Sequence, residues 1–424
     1  MIFALILFLI TYTLLLLLPK YRAVVALSSA LIYIISGTLT FSKALSAIDF
    51  NVILMLAGTM GIVALFIESK MPALLADLIL GRVPNVKWAI ISLALFAGII
   101  SAFVDNVATV LMVVPVALTI AKKLNISPVP GVIAISISSN LQGAATLVGD
   151  ATAILMGSHA HMTFSDFFIY QGKPGIFWVV QAGAVAFTLV CLLVFRKYSQ
   201  LLSVDLKKNR TLVTDYLPSF LLVMMILLLI VVSFVPDKPA LTNGFICTGL
   251  FILGLIITFA GKKDKTLFGR TLREIDISTL LLLSGLFIVV AGITEAGLVE
   301  EISKIFIHFS GDNLFIMYTL IVWVSVLFAA FIDNIPFVAT MLPVISGISA
   351  IMKIDPTILY FGLLCGATLG GNFTPIGASA NITAIGILRR NGYEVKTSQY
   401  MKISFPITFA AIITGYLLIW LIWN

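Results

Sequence analysis

The amino-acid sequence predicts an all-α polytopic membrane protein made of two inverted five-helix repeats, each holding a re-entrant hairpin and a broken helix. Three observations carry that prediction. First, 60% of the 424 residues are hydrophobic and only 11% are charged, with a mean hydropathy of +1.14. A soluble domain cannot hide that much apolar surface, because its exterior has to be charged. Second, the apolar residues come in runs long enough to cross a bilayer. Third, the second half of the chain repeats the first at Asp, Asn, Pro and Gly positions, not merely at Val and Leu. The net charge of +7 is then a matter of loop sidedness, and no nucleic-acid partner is expected. Cys191, Cys247 and Cys365 all sit in apolar runs and make neither a disulfide framework nor a CxxC metal site.

The apolar runs lie near 2–18, 23–39, 50–68, 88–120, 131–160, 176–195, 217–235, 241–260, 277–293, 315–352, 357–388 and 403–423. The first has no basic stretch before it and no small-residue cleavage site after it, so it reads as a retained helix. Those at 88–120 and 315–352 are too long for one crossing and carry an Asp-Asn pair in the middle, as re-entrant hairpins would. Those at 131–160 and 357–388 are interrupted by Gly, Thr and polar residues, as broken helices are. Ten crossings remain, five in a first repeat (1–195) and five in a second (217–424), joined by a basic linker at 196–216. The segments 19–22, 69–87, 121–130, 196–216, 261–276 and 389–402 then share one side and hold 21 of the 26 Lys and Arg. The positive-inside rule makes that side cytoplasmic and leaves both termini outside. A hairpin that crossed twice would give the same parity.

The repeat is visible without a gap. A shift of 228 sets Ala102-Phe103-Val104-Asp105-Asn106 on Ala330-Phe331-Ile332-Asp333-Asn334, and Pro115, Pro128, Gly143, Thr146 and Gly149 on Pro343, Pro356, Gly371, Thr374 and Gly377. From 102 to 154, fifteen of 53 positions are identical in this register. A shift of 227 upstream pairs Asp49 with Asp276, Gly58 with Gly285 and Glu68 with Glu295. An odd number of crossings per half makes the repeats insert in opposite orientations. Inverted repeats with paired broken helices are a signature of secondary transporters, whose sites lie at the repeat interface.

Three acids fall inside the apolar runs away from their ends: Asp105, Asp150 and Asp333. A carboxylate near the bilayer centre costs about 2.5–3.5 kcal/mol on the insertion scale, so it is rarely idle. Asp105 and Asp333 are equivalent and each is followed by Asn, which suggests paired sites, although each Asp could simply cap a hairpin arm. Asp150 has no counterpart, since Ala378 stands there, and it reads equally as cap or site residue. Asp and Asn side chains, the hydroxyls of Thr146, Thr374 and Ser379, and carbonyls freed at Gly143, Gly149, Gly371 and Gly377 are hard oxygen donors suited to an alkali cation. A desolvated Asp can alternatively carry a proton. No Lys or Arg lies within these motifs, so a bare multiply charged anion is disfavoured. His159 and His161 read as interfacial residues, and Glu300 and Glu301 as a solvated face.

At these motifs the chain resembles the ion transporter superfamily of arsenite permeases, NhaD-type sodium/proton antiporters, melanosomal P-protein relatives and divalent anion/sodium symporters. The segments FVDNVATVLMVVP (103–115), SNLQGAATLVGDATAILMGS (139–158), FIDNIPFVATMLP (331–343) and GGNFTPIGASANITAIG (370–386) carry the likeness. It implies an elevator transporter with a homodimeric scaffold. Its hairpin tips, Asp105-Asn106-Val107 and Asp333-Asn334-Ile335, would meet breaks spanning Thr146, Gly149 and Asp150 in one half and Thr374, Gly377, Ser379 and Asn381 in the other. Asp105, Asn106, Asp333 and Asn334 are the implied sodium ligands. Dicarboxylate symporters of this superfamily carry Ser-Asn-Thr at the tip, whereas Asp stands first here, as in the arsenite-permease and P-protein branch. Many relatives read Gly-Asp-Pro-Pro-Asn at the first break, but here Ala153 occupies the Asn position.

The expected function is secondary-active transport of a small inorganic ion or solute, of the arsenite-permease or sodium/proton-antiporter kind, coupled to Na⁺ or H⁺. Sodium-coupled di- or tricarboxylate uptake of the citrate type is the alternative within the class, and a passive ion channel the alternative outside it. No nucleophile and base come together in sequence, so no enzyme and no cofactor beyond the coupling ion is expected. The setting is a lipid bilayer, expected to be a bacterial cytoplasmic membrane.

Overall fold

The computed structural model describes residues 1–124, 126–200, 211–213, 215–262 and 265–424; most of the 196–216 linker lies outside the described residues. Ten helices precede the linker: α1 (Ile2–Leu17), α2 (Arg22–Ile35), α3 (Phe41–Ala47), α4 (Phe50–Glu68), α5 (Met71–Leu80), α6 (Val86–Ser101), α7 (Asn106–Leu124), α8 (Val129–Gly143), α9 (Ala151–His159) and α10 (Ile176–Val194). Ten follow it: α11 (Leu217–Ser233), α12 (Thr242–Lys262), α13 (Lys265–Glu274), α14 (Ile277–Glu295), α15 (Leu298–Ser310), α16 (Leu314–Ala329), α17 (Asn334–Met352), α18 (Thr357–Gly370), α19 (Ser379–Arg390) and α20 (Thr397–Trp423). The all-α expectation needs one correction. A two-residue antiparallel ladder pairs Ile169–Tyr170 with Lys173–Pro174 between α9 and α10.

The long runs are helix–turn–helix units, α6–α7 and α16–α17, and the interrupted runs are broken pairs, α8–α9 and α18–α19. Local signals set the boundaries. Asp49 accepts the Val52 N–H at 3.1 Å and Asp276 the Thr279 N–H at 3.1 Å, capping the equivalent helices α4 and α14. Among the described residues, helices α4, α10, α14, α17 and α20 are each long and apolar enough to cross a membrane, and the bent pairs α1–α2 (112°) and α15–α16 (118°) bring the number to seven if each is one span. The sequence treats 2–18 and 23–39 as separate crossings. The structure joins them by a sharp corner over Pro19–Tyr21, where Pro19 cannot donate to the preceding turn.

Contacts between the halves are reciprocal. Helix α4 packs on α12 and α14 on α2; α7 packs on α19 and α17 on α9; α10 packs on its counterpart α20. The glycines matched by the repeat make the first of these exchanges possible. A Cβ on Gly285 would lie 2.8 Å from the backbone of Ala26 and Leu27, and one on Gly58 would strike the backbone of Cys247 and Thr248. Small residues let helix backbones touch in this way. At the centre every residue of α8 and of α18 is buried, so both broken helices reach their breaks through the interior.

Candidate ion and solute site

Each broken helix is tied to its hairpin turn by the same bond. The Thr146 hydroxyl donates to the Ala102 carbonyl and the Thr374 hydroxyl to the Ala330 carbonyl. A Cβ on Gly149 would sit 2.9 Å from the carbonyl oxygens of both Ser101 and Ala102; on Gly377 it would sit 2.7 and 2.8 Å from those of Ala329 and Ala330. Only glycine lets the break press this closely on the turn. These four residues therefore build the site without lining it.

The chain then restarts as a helix with its first turn facing inward. Asp105 accepts the N–H groups of Val107 (2.9 Å) and Ala108 (3.2 Å), and Asp333 that of Ile335 (3.3 Å). Both are caps, and both also line one cavity of about 130 Å³. The cavity wall includes Asp105, Asn106 and Val107 from the first tip, Asp333, Asn334 and Ile335 from the second, and Asp150 and Ser379 from the breaks. Asp150 occupies the cap position of α9 but makes no cap bond; it accepts instead from the Thr152 hydroxyl at 3.0 Å. The first turns of α7, α9, α17 and α19 all contribute to this wall, so four positive helix ends meet the carboxylates.

Asn381 lies behind the cavity. Its Nδ2 donates to the carbonyls of Gly371 (3.0 Å) and Thr374 (3.3 Å), holding the second break open, while its Oδ1 accepts from Ser136 and from Asn140 Nδ2 (3.2 Å). Asn140 also reaches Asn372 at 2.7 Å and accepts from Asn106 Nδ2 at 3.2 Å. A buried amide network thus joins the first tip to the second break. Such a network fixes geometry when its members are satisfied.

The structure adds residues that sequence reasoning missed. Asn140, Glu274 and Asp276 line the cavity. Arg22 reaches in from the start of α2 and pairs with Asp333 at 2.6 Å. The sequence excludes a basic residue from the motifs, and that holds only along the chain; in space a guanidinium is present. Outside the site, His159 bonds Ser346 at 2.9 Å and packs edge-on against Tyr360. Glu300 and Glu301 pair with exposed Lys304 at 2.9 and 3.0 Å, in line with a solvated face.

Comparison with known proteins places the chain among transporters. The citrate transporter family, CitMHS, matches residues 6–366. An uncharacterized transporter of Mycobacterium tuberculosis is 30% identical over 412 residues, covering 94% of this chain and 93% of its own length. The P protein of Mus musculus is 30% identical over 500 residues, covering 96% of this chain but 59% of the P protein. Among solved structures, the YdaH transporter of Alcanivorax borkumensis superposes with a TM-score of 0.58 at 15% identity, over 92% of this chain and 87% of that one. The structure of Neisseria gonorrhoeae MtrF, from a class of antimetabolite efflux pumps, gives the same score and identity over 92% and 83%. These two likenesses bear on the fold alone. The chain belongs to the CitMHS citrate transporter family, and it is a secondary transporter of the membrane, not an enzyme.

Proposed function

We propose that this carrier moves a small inorganic ion or solute by alternating access, coupled to Na⁺ or H⁺ held on the cavity carboxylates. The observation that carries the reading is the cavity itself. Five acidic residues, Asp105, Asp150, Glu274, Asp276 and Asp333, line it, and among the described residues the one basic group that meets them is Arg22, bonded to Asp333. A cation or proton is the natural complement of that wall. Glu274 and Asp276 belong to the basic-side segment 261–276, so the cavity in this conformation faces the cytoplasm under the positive-inside assignment.

The reciprocal packing of the halves supports an inverted-repeat carrier working by elevator motion, with hairpins α6–α7 and α16–α17 closing on the cavity from opposite sides. By resemblance it works as a homodimer whose interface lies outside the hairpins and broken helices, in a bacterial cytoplasmic membrane. Citrate-type uptake is the second reading. The family match favours it, as do the four helix N-termini, which would hold carboxylate groups beside a co-bound cation.

The test is a melting-temperature panel of Na⁺ against choline at constant ionic strength, with arsenite, antimonite, succinate and citrate added over several pH values. Ligands stabilise the state they bind. Saturable stabilisation by Na⁺ or H⁺ that Asp105→Asn loses supports the reading. A wild-type protein indifferent to both cations contradicts it. Among the solutes, stabilisation by citrate alone selects the second reading.

A further inference from the structure

Taking the wall that each hairpin tip and its break contribute to the single cavity as one lobe, the two lobes share the Asp-Asn motif but not its charge. In the first lobe, Asp105 bonds only backbone N–H groups and makes no ion pair among the described residues, and Asp150 stands on the same wall. In the second, Ala378 replaces Asp150 and Ser379 replaces Ala151 in the repeat register. Asp333 there accepts from Arg22 at 2.6 Å and from the Ser379 hydroxyl at 2.8 Å. The side chains of Arg22 and Asp333 are 17% and 9% exposed. The first tip and break thus bring two carboxylates and, among the described residues, no cation, and the second bring one carboxylate with a cation bonded to it; Glu274 and Asp276 add two further carboxylates to the same cavity from outside both.

The geometry points to Arg22 as a tethered counter-cation that fills the second lobe, leaving the exchangeable coupling cation to the first lobe at Asp105 and Asp150. Arg22 is braced for this role. Its Nε donates to the Leu15 carbonyl at 3.4 Å, and the corner around it packs Leu15, Ala23 and Ala26 against Leu282 and Leu286 of α14, with Ile335 of the tip alongside. Tyr12 adds a second tie, donating to the Pro336 carbonyl at 2.7 Å and bonding Thr340. Among the described residues no basic side chain pairs with Asp105 at the first tip, and the shift of 227 puts Gly249 opposite Arg22. A fixed guanidinium satisfies a buried carboxylate as a bound cation would, but it cannot be exchanged with the medium.

This assignment rests on the cation-coupled reading, and one set of variants separates the two. Melting temperature is followed against Na⁺ in choline-balanced buffer and against pH in choline alone. The charged groups sharing the cavity with Asp333 are Asp105, Asp150, Glu274 and Asp276, with Arg22 bonded to it. Arg22→Gln exposes Asp333 to the medium, so its saturable stabilisation by Na⁺ or H⁺ should reach about twice that of wild type, one linkage term for each open lobe. Arg22→Lys should behave as wild type, and Arg22→Gln with Asp333→Asn should return to the wild-type response. If Arg22→Gln folds only when Na⁺ is supplied or the pH lowered, that rescue supports the same conclusion. An Arg22→Gln protein that is weakened equally in every medium, with the wild-type cation response, overturns it and leaves the pair a structural strut. An indifferent wild type would instead sink the cation-coupled reading.

Discussion

The hairpin tips at Asp105-Asn106 and Asp333-Asn334 are alike in sequence and opposite in how their polar atoms are satisfied. At the first, the Asn106 Oδ1 accepts from Ser101 at 2.7 Å, and Ser139 braces Ser101 at 2.9 Å. At the second, the register places Ala329 and Ala367 where those serines stand, and the buried Asn334 Oδ1 has no hydrogen-bond partner. For the acids the imbalance is reversed: Asp333 has a counter-ion, and Asp105 has none among the described residues. The comparison teaches that a repeat keeps the residues that form its tips while their partners diverge, and that partners decide what each tip can bind.

The comparison can be broken most forcefully at the ion pair. Removing one partner of a buried pair strands the other charge, at a cost of about 3–5 kcal/mol. Arg22→Gln in choline, or Asp333→Asn, should lose stability on that scale, while the double variant should lose much less; a double variant that loses the sum of the two single losses would mean the charges are uncoupled. A smaller effect is expected at the first tip. Ser101→Ala leaves Asn106 Oδ1 without its donor and should cost about 1–3 kcal/mol. The reverse change sharpens the contrast. Ala329→Ser supplies Asn334 Oδ1 with the hydroxyl it lacks and should stabilise by about 1 kcal/mol, measurable as a modest rise in melting temperature. The smallest stability change belongs to Asp105→Asn, because Asn and Asp rank together as helix caps. Its melting temperature should stay near wild type when no coupling cation is present.

Much of this was legible in the sequence for a physical reason. A polar residue inside an apolar run must be satisfied or functional, so Asp105, Asp150 and Asp333 announced the site, and all three line the cavity. Glycines and prolines announced the breaks because they interrupt helices. Arg22 was hidden because it sits at the end of an apolar run, where a basic residue normally signals only sidedness, and its partner lies 311 residues away. Asn140 was hidden because the register gives it Thr368 as counterpart, so the repeat did not mark it. The corner between α1 and α2 does not show in the sequence, since a run pattern fixes the length of a helix but not the angle of its bend.

The most direct test of the central claim, that the exchangeable cation sits on the Asp105 carboxylate, is ion movement into proteoliposomes holding wild-type or Asp105→Asn protein. Radioactive Na⁺ uptake and an internal pH dye report the two ions under imposed Na⁺ and H⁺ gradients, with melting temperature followed in parallel. The account predicts that wild type moves one of these ions and that folded Asp105→Asn moves neither. Asp105→Asn protein that carries the same ion at the wild-type rate would contradict it and leave the acid as a helix cap.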